Sequence, residues 1–579
     1  MASVTCIVFL LMSVTMLATL PLADGRDKKT DDDLESPQLS DFVREVSDDE
    51  PEAARRPKLS PLRLGQCSAS DYEPDYDDEN AEDFYDNIDA SNFFDDDQDA
   101  GKSLDDNAQF ADPRCADGHV KQGKASGGHC FSNDKSYAVH ATMTPYSIAR
   151  TNNLTASKLA PEGCKPVQLW HLIRHGSRSM HRMDFMKMET QLPMLQKMIL
   201  AAHSVGNGEL CSHDLALIRV WNIKDMRMGK AGTLTPEGKA EVKGIANRFK
   251  AVLPNLVYKG YSISKPPSEN ARQQPGEGTK VAFAPSRQTY ESSVAYLEAL
   301  YGRRWGHFGL PVKGSKSLQY FHYCKNYVNK VMSRNKKHKP FHTFSKGKFI
   351  QEVMDSVSKR TGVNITLTKL RTMYNACRYQ ASWNPQRLSP WCTVFTPGDL
   401  EILEYWEDLR MYHDHGYQHS ITYKQACILG KDVIRHFRKR IDRGNNATDS
   451  TAYFVNVEAF VPFLALFGLF KDTEALTSEA INKNRLWRTS KFAGYGSNFG
   501  LLLSSCTGES TNYWVTAIHN EEKIKLPGCD TSLGCPWDKF LNEYDFLEDC
   551  HFFRLCIRFT RRMCRPHNWH LTYIMNNWM

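Results

Sequence analysis

The chain has 579 residues, of which 41% are hydrophobic and 24% charged, and a formal net charge of +6. That length admits one large α/β domain carrying an insertion, or two to three ordinary domains, and it is ample for a buried core. No repeat at a solenoid period, dinucleotide-binding glycine fingerprint, nucleotide P-loop or catalytic serine elbow occurs, which sets those four readings aside.

The net charge conceals a division. Residues 31–112 hold 27 acidic against 6 basic side chains, a balance of −21, whereas residues 113–579 hold 64 basic against 38 acidic, a balance of +26. A body so basic points to an anionic partner: polyphosphorylated small molecules, nucleic acid, sulfated glycans or a membrane surface.

In chain order, the apolar run from about Val4 to Leu22 followed by small residues reads as a secretory signal over residues 1–23, cleaved near Ala23 or Gly25, with an uncleaved anchor as the alternative. No later stretch qualifies as a membrane span, so no stable span is expected once the signal is removed. The sixteen cysteines are mostly spaced singly, which argues for disulfides in an oxidising compartment. Cys529 and Cys535 close a short loop, and Cys550, Cys556 and Cys564 crowd the carboxyl end; the connectivity is not readable from spacing. Loss of Cys6 with the signal leaves an odd number, so at least one thiol is free or pairs between chains. Sequons at Asn153, Asn364 and Asn446 fit a secreted glycoprotein.

Residues 24–112 form an acidic segment with little apolar periodicity, expected to be disordered. Within it Tyr72, Tyr76 and Tyr85 lie among carboxylates. Sulfation and a protein partner with a basic surface are one reading, and a solvating tail is the other.

The folded part begins at residue 113, with a first α/β portion over 113–300. Val167, Leu169, Trp170, Leu172 and Ile173 stop abruptly at Arg174-His175-Gly176, and Arg178 follows. That is a buried strand ending in a polar turn, the place where open α/β sheets bind ligands. Gly176 permits close backbone approach, Arg174 and Arg178 offer planar donor forks suited to phosphate oxygens, and His175 supplies a nitrogen nucleophile. Phosphoryl transfer through a phosphohistidine fits that set.

Next, METQLPMLQKMILAAHSVGNGELC places Leu192, Leu195, Met198 and Ile199 at helical spacing. LTPEGKAEVKGIANRFKAVLPNL starts a helix at Thr235 with Pro236 at its first position, and puts Val242, Ile245, Ala246 and Phe249 on one face. VAFAPS then reads as a buried strand running into the helix TYESSVAYLEALYG. Residues 301–445 are helical in pattern and basic, a mostly helical cap over the core, with a nucleic-acid-binding domain as the alternative. The histidines of HDHGYQH, 413–419, fit no zinc spacing and read as a polar surface loop. Residues 446–579 return to strands and helices with TAYFVNVEAFVPFLALFGLF, LLLSSC and NYWVTAIHNEEKIKLPGC.

Taken together these residues resemble the histidine acid phosphatase branch of the histidine phosphatase superfamily, and within it the multiple inositol polyphosphate phosphatases. The likeness is carried by Arg174-His175-Gly176-Ser177-Arg178-Ser179-Met180, by Leu234-Thr235-Pro236-Glu237-Gly238, by Asn456-Val457-Glu458 with the apolar helix ending at Asp472, and by HNEEKIKLPG at 519–528. It spans roughly residues 115–560. The resemblance implies a phosphoglycerate-mutase-like α/β core sheet flanked by helices with a mostly helical cap, and hydrolysis of phosphomonoesters with no metal or organic cofactor. It further implies His175 as nucleophile, Glu458 as general acid, and Arg174, Arg178, Arg287 and Asn456 as substrate-binding groups.

Three positions depart from the pattern. Met180 replaces a proline, Asn456 stands where the family has a phosphate-binding histidine, and the family's later arginine position falls on Gln288, with Arg287 one residue early. The expected substrate is a polyphosphorylated small molecule, inositol polyphosphates first and bisphosphoglycerate as a family-level possibility. The other reading is a catalytically impaired relative that keeps the fold to bind polyanions or a protein; a glycan- or nucleic-acid-binding protein has no motif beyond charge.

Overall fold

The computed structural model describes residues 129–130, 135–150, 154–155, 159–226, 229–258, 279–303, 305, 312–314, 316–333, 339–507, 512–529 and 534–557. The signal at 1–23, the acidic segment at 24–112 and the sequon asparagine Asn153 lie outside the described residues.

The organising strand is β1, Cys164–Arg174, whose last seven residues are all buried. Its alternation feeds two cores. Trp170 and Leu172 enter the larger apolar cluster, while Leu169 and Ile173 face the smaller one. A strand covered on both faces has no polar side to show, which is why the sequence reads as a continuous apolar run.

Helices α1, Arg182–Ser204, and α2, Ser212–Val220, follow. On α1, Leu192, Leu195 and Ile199 are buried as their spacing predicts, whereas Met198 is 37% exposed. Helix α3, Pro236–Val252, starts as expected: Thr235 caps it by accepting from Gly238 N–H at 3.0 Å. Its Val242, Ile245, Ala246 and Phe249 are all fully buried against Leu169 and Ile173. Strand β2, Thr279–Phe283, leads into α4, Arg287–Tyr301, which packs beside α3.

After the short strand β3, Val312–Lys313, the described residues up to 446 are helical or irregular. The long helices are α5, Lys348–Thr361, α6, Leu367–Trp383, α7, Pro397–His415, and α8, Cys427–Arg443. Helix α1 packs against α5 and α6, so the helical layer draws on residues before β2 as well as after it. Strand β4, Ser450–Val455, and α9, Val457–Leu466, return the chain to the core. Strands β5, Asn498–Cys506, β6, Asn512–His519, β7, Glu522–Ile524, and β8, Cys535–Pro536, complete the sheet.

The sheet order is β3-β2-β4-β1-β5-β6-β7, with β8 beside β6. The first four strands are parallel and the remainder antiparallel. Arg174 pairs with Val455 and Phe283 with Phe454, so β1, β2 and β4 end at nearly the same level. That shared carboxyl edge places the site.

Six disulfides join described residues: Cys130–Cys211, Cys164–Cys506, Cys324–Cys556, Cys377–Cys392, Cys427–Cys550 and Cys529–Cys535. The last is the short loop its spacing suggests. Cys164–Cys506 pins a register pair of β1 and β5 across 342 residues of sequence.

The segment 413–419 differs from the surface loop expected of it. His413, Asp414 and His415 are buried in the last turn of α7. Asp414 accepts from His413 at 2.8 Å and from Lys339 at 3.2 Å, and His415 meets the Tyr327 hydroxyl at 3.2 Å. Buried polar side chains are tolerable once paired, so polarity alone misplaced this stretch. Among the described residues, no helix is long and apolar enough to cross a membrane.

Candidate active site

At the end of β1 the backbone stays committed to its neighbours for one residue more. Arg174 N–H donates to Ser497 at 2.8 Å and His175 N–H to Val455 at 3.2 Å, while His175 accepts from Gly496 N–H at 3.0 Å. The histidine is thus fixed between β4 and β5 before the chain turns. Its Nδ1 lies 2.9 Å from the Gly176 carbonyl oxygen. A carbonyl can only accept, so Nδ1 carries the proton and Nε2 keeps its lone pair. Burial, with Arg174 and Arg178 alongside, holds the imidazole pKa well below its ordinary value. His175 is therefore neutral and nucleophilic at Nε2 at physiological pH.

Arg174 is buried, with one terminal nitrogen donating to the carbonyls of Thr142 and Ala493, the second at 2.6 Å. Its guanidinium stacks 4.6 Å from the Tyr495 ring centre, and Tyr495 lies 5.8 Å from the His175 ring. The Arg174 Nε is buried without a hydrogen-bond partner. Burial lowers its pKa to about 10, so the charge persists, with the field of Glu458 among those favouring it. A buried cation with a donor unmet is a place for an anion. Arg178 is half-buried; its side chain reaches the Ser179 carbonyl at 3.1 Å, and its own carbonyl accepts the Trp383 indole N–H at 2.9 Å.

The turn is moulded by the start of α3. Arg178 bridges to Leu234, Ser179 N–H donates to Thr233 at 2.8 Å, and Thr235 donates to the Ser177 carbonyl through both its backbone N–H at 3.0 Å and its hydroxyl at 3.1 Å. Glu241 accepts the Ser177 N–H at 2.8 Å, and Ser292 accepts the Gly176 N–H at 3.2 Å. Met180, in the proline position, is buried in the larger core.

Across the edge, Asn456 caps the backbone of α9 and Glu458 lies in its first turn. Asn456 Oδ1 accepts from the Ser286 hydroxyl at 3.2 Å and from Gln288 Nε2 at 3.3 Å. Gln288 is buried facing Asn456, whereas Arg287 pairs with Glu291 one helical turn along, at 3.0 Å. Glu291 in turn accepts Leu234 N–H at 2.7 Å. The structure thus gathers Arg174, His175 and Arg178 on one turn and brings Glu458 within electrostatic reach of Arg174. Arg287 is engaged by Glu291 while Gln288 meets Asn456, since one residue of helix register turns a side chain by about 100°. Arg287, expected in the phosphate clamp, is half of a partly buried ion pair with Glu291, and the further group whose field bears on His175 is His181.

Glu241, His181, Ser292 and Tyr495 were not singled out from the sequence. For Glu241 a signal existed, because an acid at that position lies within the otherwise apolar stripe of α3. Two groups have metal-ligand spacing among the described residues, His140 with Cys377 and Cys392, and Cys130 with Cys211 and Asp214. In each the cysteines are joined in a disulfide, which removes the thiolates such a site would need.

The family described as "Histidine phosphatase superfamily (branch 2)" matches residues 310–520. Over those residues the chain resembles branch 2 of the histidine phosphatase superfamily. It is 24% identical over 441 residues to multiple inositol polyphosphate phosphatase 1 of Drosophila melanogaster, covering 73% of this chain and 89% of that protein. The Homo sapiens protein of the same name is also 24% identical, with 68% of this chain and 82% of that protein covered. Among solved structures, Bifidobacterium longum multiple inositol polyphosphate phosphatase in complex with inositol hexasulfate superposes with a TM-score of 0.51 at 17% identity, covering 68% of this chain and 94% of that one. The phytase from D. castellii does so with a TM-score of 0.53 at 13% identity, covering 73% and 87%. These structures share the fold: a mixed α/β core sheet flanked by helices.

Proposed function

We propose that this protein is a histidine phosphatase that hydrolyses phosphomonoesters of inositol polyphosphates through a phosphohistidine. The observation that carries the reading is the neutral His175, with its Nε2 lone pair available, held between Arg174 and Arg178 at the carboxyl edge of the parallel strands. Nε2 attacks phosphorus as the bond to the leaving alcohol oxygen breaks, and Glu458 gives its proton to that oxygen. The positive charge that appears on the imidazole is met by the Nδ1–H bond to Gly176. Water then attacks phosphorus, its proton passes to the Glu458 carboxylate, and the P–N electron pair returns to Nε2. The two arginines bind the equatorial oxygens throughout.

The names of the relatives support an inositol polyphosphate substrate, and the balance of +26 over residues 113–579 supports a polyanion. The signal, the six disulfides and the exposed sequons at Asn364 and Asn446 support a secreted or secretory-lumen glycoprotein. One observation favours the alternative, a polyanion binder with impaired turnover: two neutral amides, Gln288 and Asn456, bond each other on the edge facing the nucleophile.

Phosphate release from inositol hexakisphosphate between pH 4 and 8, beside a His175→Ala control, separates the two. Release lost in the control upholds the phosphatase, by at least about a thousandfold for a missing nucleophile. Equal, negligible release from two proteins that both bind the substrate would establish the binder.

A further inference from the structure

We infer that Glu241 is a positioning residue for the nucleophile turn, holding the Ser177 backbone so that His175 and Arg178 keep their reactive placement. The inference rests on the phosphatase reading for what the turn does, but its geometry stands apart from it.

Ser177 is gripped on both sides of its peptide frame by one helix. Its carbonyl oxygen takes two donors from Thr235, the cap of α3, and its N–H is taken by Glu241, on the following turn of the same helix, at 2.8 Å. The second oxygen of Glu241 accepts Tyr146 N–H at 2.7 Å. Both carboxylate oxygens are therefore engaged by backbone donors of two segments, 31 residues apart in sequence, one before β1 and one after it. Tyr146 belongs to the stretch whose Thr142 carbonyl anchors Arg174. Its hydroxyl continues the chain of bonds, donating to Glu521 at 2.7 Å and accepting from Asn498 at 2.8 Å. One side chain thus ties the arginine anchor to the turn that carries the nucleophile.

The chemistry of the two contacts demands a carboxylate. Each partner is an N–H donor, so the bridging group must accept twice. An amide of the same size accepts only on its oxygen and would set an NH2 group against a backbone N–H. A buried acid is otherwise costly: burial pushes Glu241 up to about 7, against the two backbone bonds and the field of Arg174. An acid kept in so unfavourable a place has a geometric task there.

The test compares wild type with Glu241→Gln and Glu241→Asp in the full secreted chain. Steady-state kinetics on inositol hexakisphosphate and the thermal midpoint are read together. A displacement of about 1 Å in a reacting group costs on the order of a hundredfold, so Glu241→Gln is expected to lower kcat by about that factor with KM changed less than about threefold. Should the amide variant not fold, Glu241→Asp, which keeps the charge but shortens the reach by one methylene, gives the same split. A variant with a lowered midpoint and kcat within about twofold of wild type at a temperature where it is folded would make Glu241 merely structural and overturn the inference. A change confined to KM would overturn it as well. If wild type releases no phosphate, the catalytic reading fails by itself, and inorganic phosphate binding decides: a tenfold loss of affinity in Glu241→Gln upholds the positioning role, and unchanged affinity removes it.

Discussion

Gly176 and Gly238, 62 residues apart, meet with their backbones in contact. A Cβ on Gly176 would overlap the Gly238 carbonyl oxygen and lie 2.8 Å from its carbonyl carbon, and a Cβ on Gly238 would overlap the Ser177 carbonyl oxygen. The two short motifs that looked separate in the sequence are halves of one contact. The first supplies the turn that carries His175 and the second the helix start that moulds it.

Gly176→Ala has no flexible side chain to displace, only backbone. We expect it to lower kcat about a hundredfold by moving His175, and to destabilise the fold by about 1–3 kcal/mol. Single-turnover rates and chemical denaturation measure the two effects. Wild-type turnover in this variant would mean that the contact can relax without disturbing the nucleophile.

Arg178 and Arg287 should behave as opposites. Arg178→Ala removes a charge that bears directly on His175 and is expected to cost about a hundredfold in kcat/KM. Arg287→Ala removes a half-exposed pair with Glu291, worth about 0.3–0.5 kcal/mol of stability, and should leave kcat/KM within about threefold. A large kinetic loss in Arg287→Ala would show that its side chain swings to the substrate.

Gln288 and Asn456 form a hydrogen-bonded amide pair where the resemblance leads one to expect two phosphate-binding cations. Changing Asn456 takes this partner from the Gln288 amide, whereas changing Gln288 leaves Asn456 its bond from Ser286. The double variant Gln288→Arg with Asn456→His supplies cationic and imidazole donors in place of the amides and should raise kcat/KM for inositol hexakisphosphate at least about tenfold. Unaltered or lower activity in a folded double variant would mean that the amide pair is part of a working site.

Acid should destabilise the fold. Burial holds His140, His171, His415 and His519 at pKa values of about 4, below the 6.5 of an open chain. Each depressed histidine contributes stability that is complete above pH 6.5 and is lost as pH falls towards 4, by at most about 1.4 kcal/mol per group per pH unit. Glu241, raised to about 7 by burial, and Asp408, raised by burial and by neighbouring Glu404, act in the opposite sense, favouring the fold as pH falls below 7. His175, His322 and His419 are lowered as well, and Asp214, Glu237 and Asp399 raised, so among the described residues seven depressed histidines face five raised acids and the thermal midpoint should fall between pH 6.5 and 4.5. Calorimetry across that range checks it, and a flat or rising midpoint would contradict the buried-neutral assignment.

Much of the architecture was legible because one strand and a few helices carry unambiguous local signals. The apolar run ending at Arg174 could only be a strand covered on both faces, and Thr235-Pro236 could only open a helix whose Val242, Ile245 and Phe249 face a core. The turn after β1 was readable, since no folding detail is needed to see that His175 stands between two arginines. Met198 and the 413–419 histidines read less well. Spacing says which residues share a helix face but not how wide the covered stripe is, and polarity says nothing about whether a partner such as Lys339 waits in the interior.

The sequence by itself therefore determined the elements and the Arg174-His175-Gly176-Ser177-Arg178 turn, because these depend on neighbours within a few residues along the chain. Only the tertiary structure decided which long-range partners complete the site. Whether Arg287 or Gln288 faces Asn456 depends on the phase of one helix against another strand's end, and a 100° turn per residue makes that a matter of a single peptide. Likewise Glu241 is an ordinary helix glutamate until the packing of α3 beneath β1 puts its two oxygens on the N–H groups of Ser177 and Tyr146.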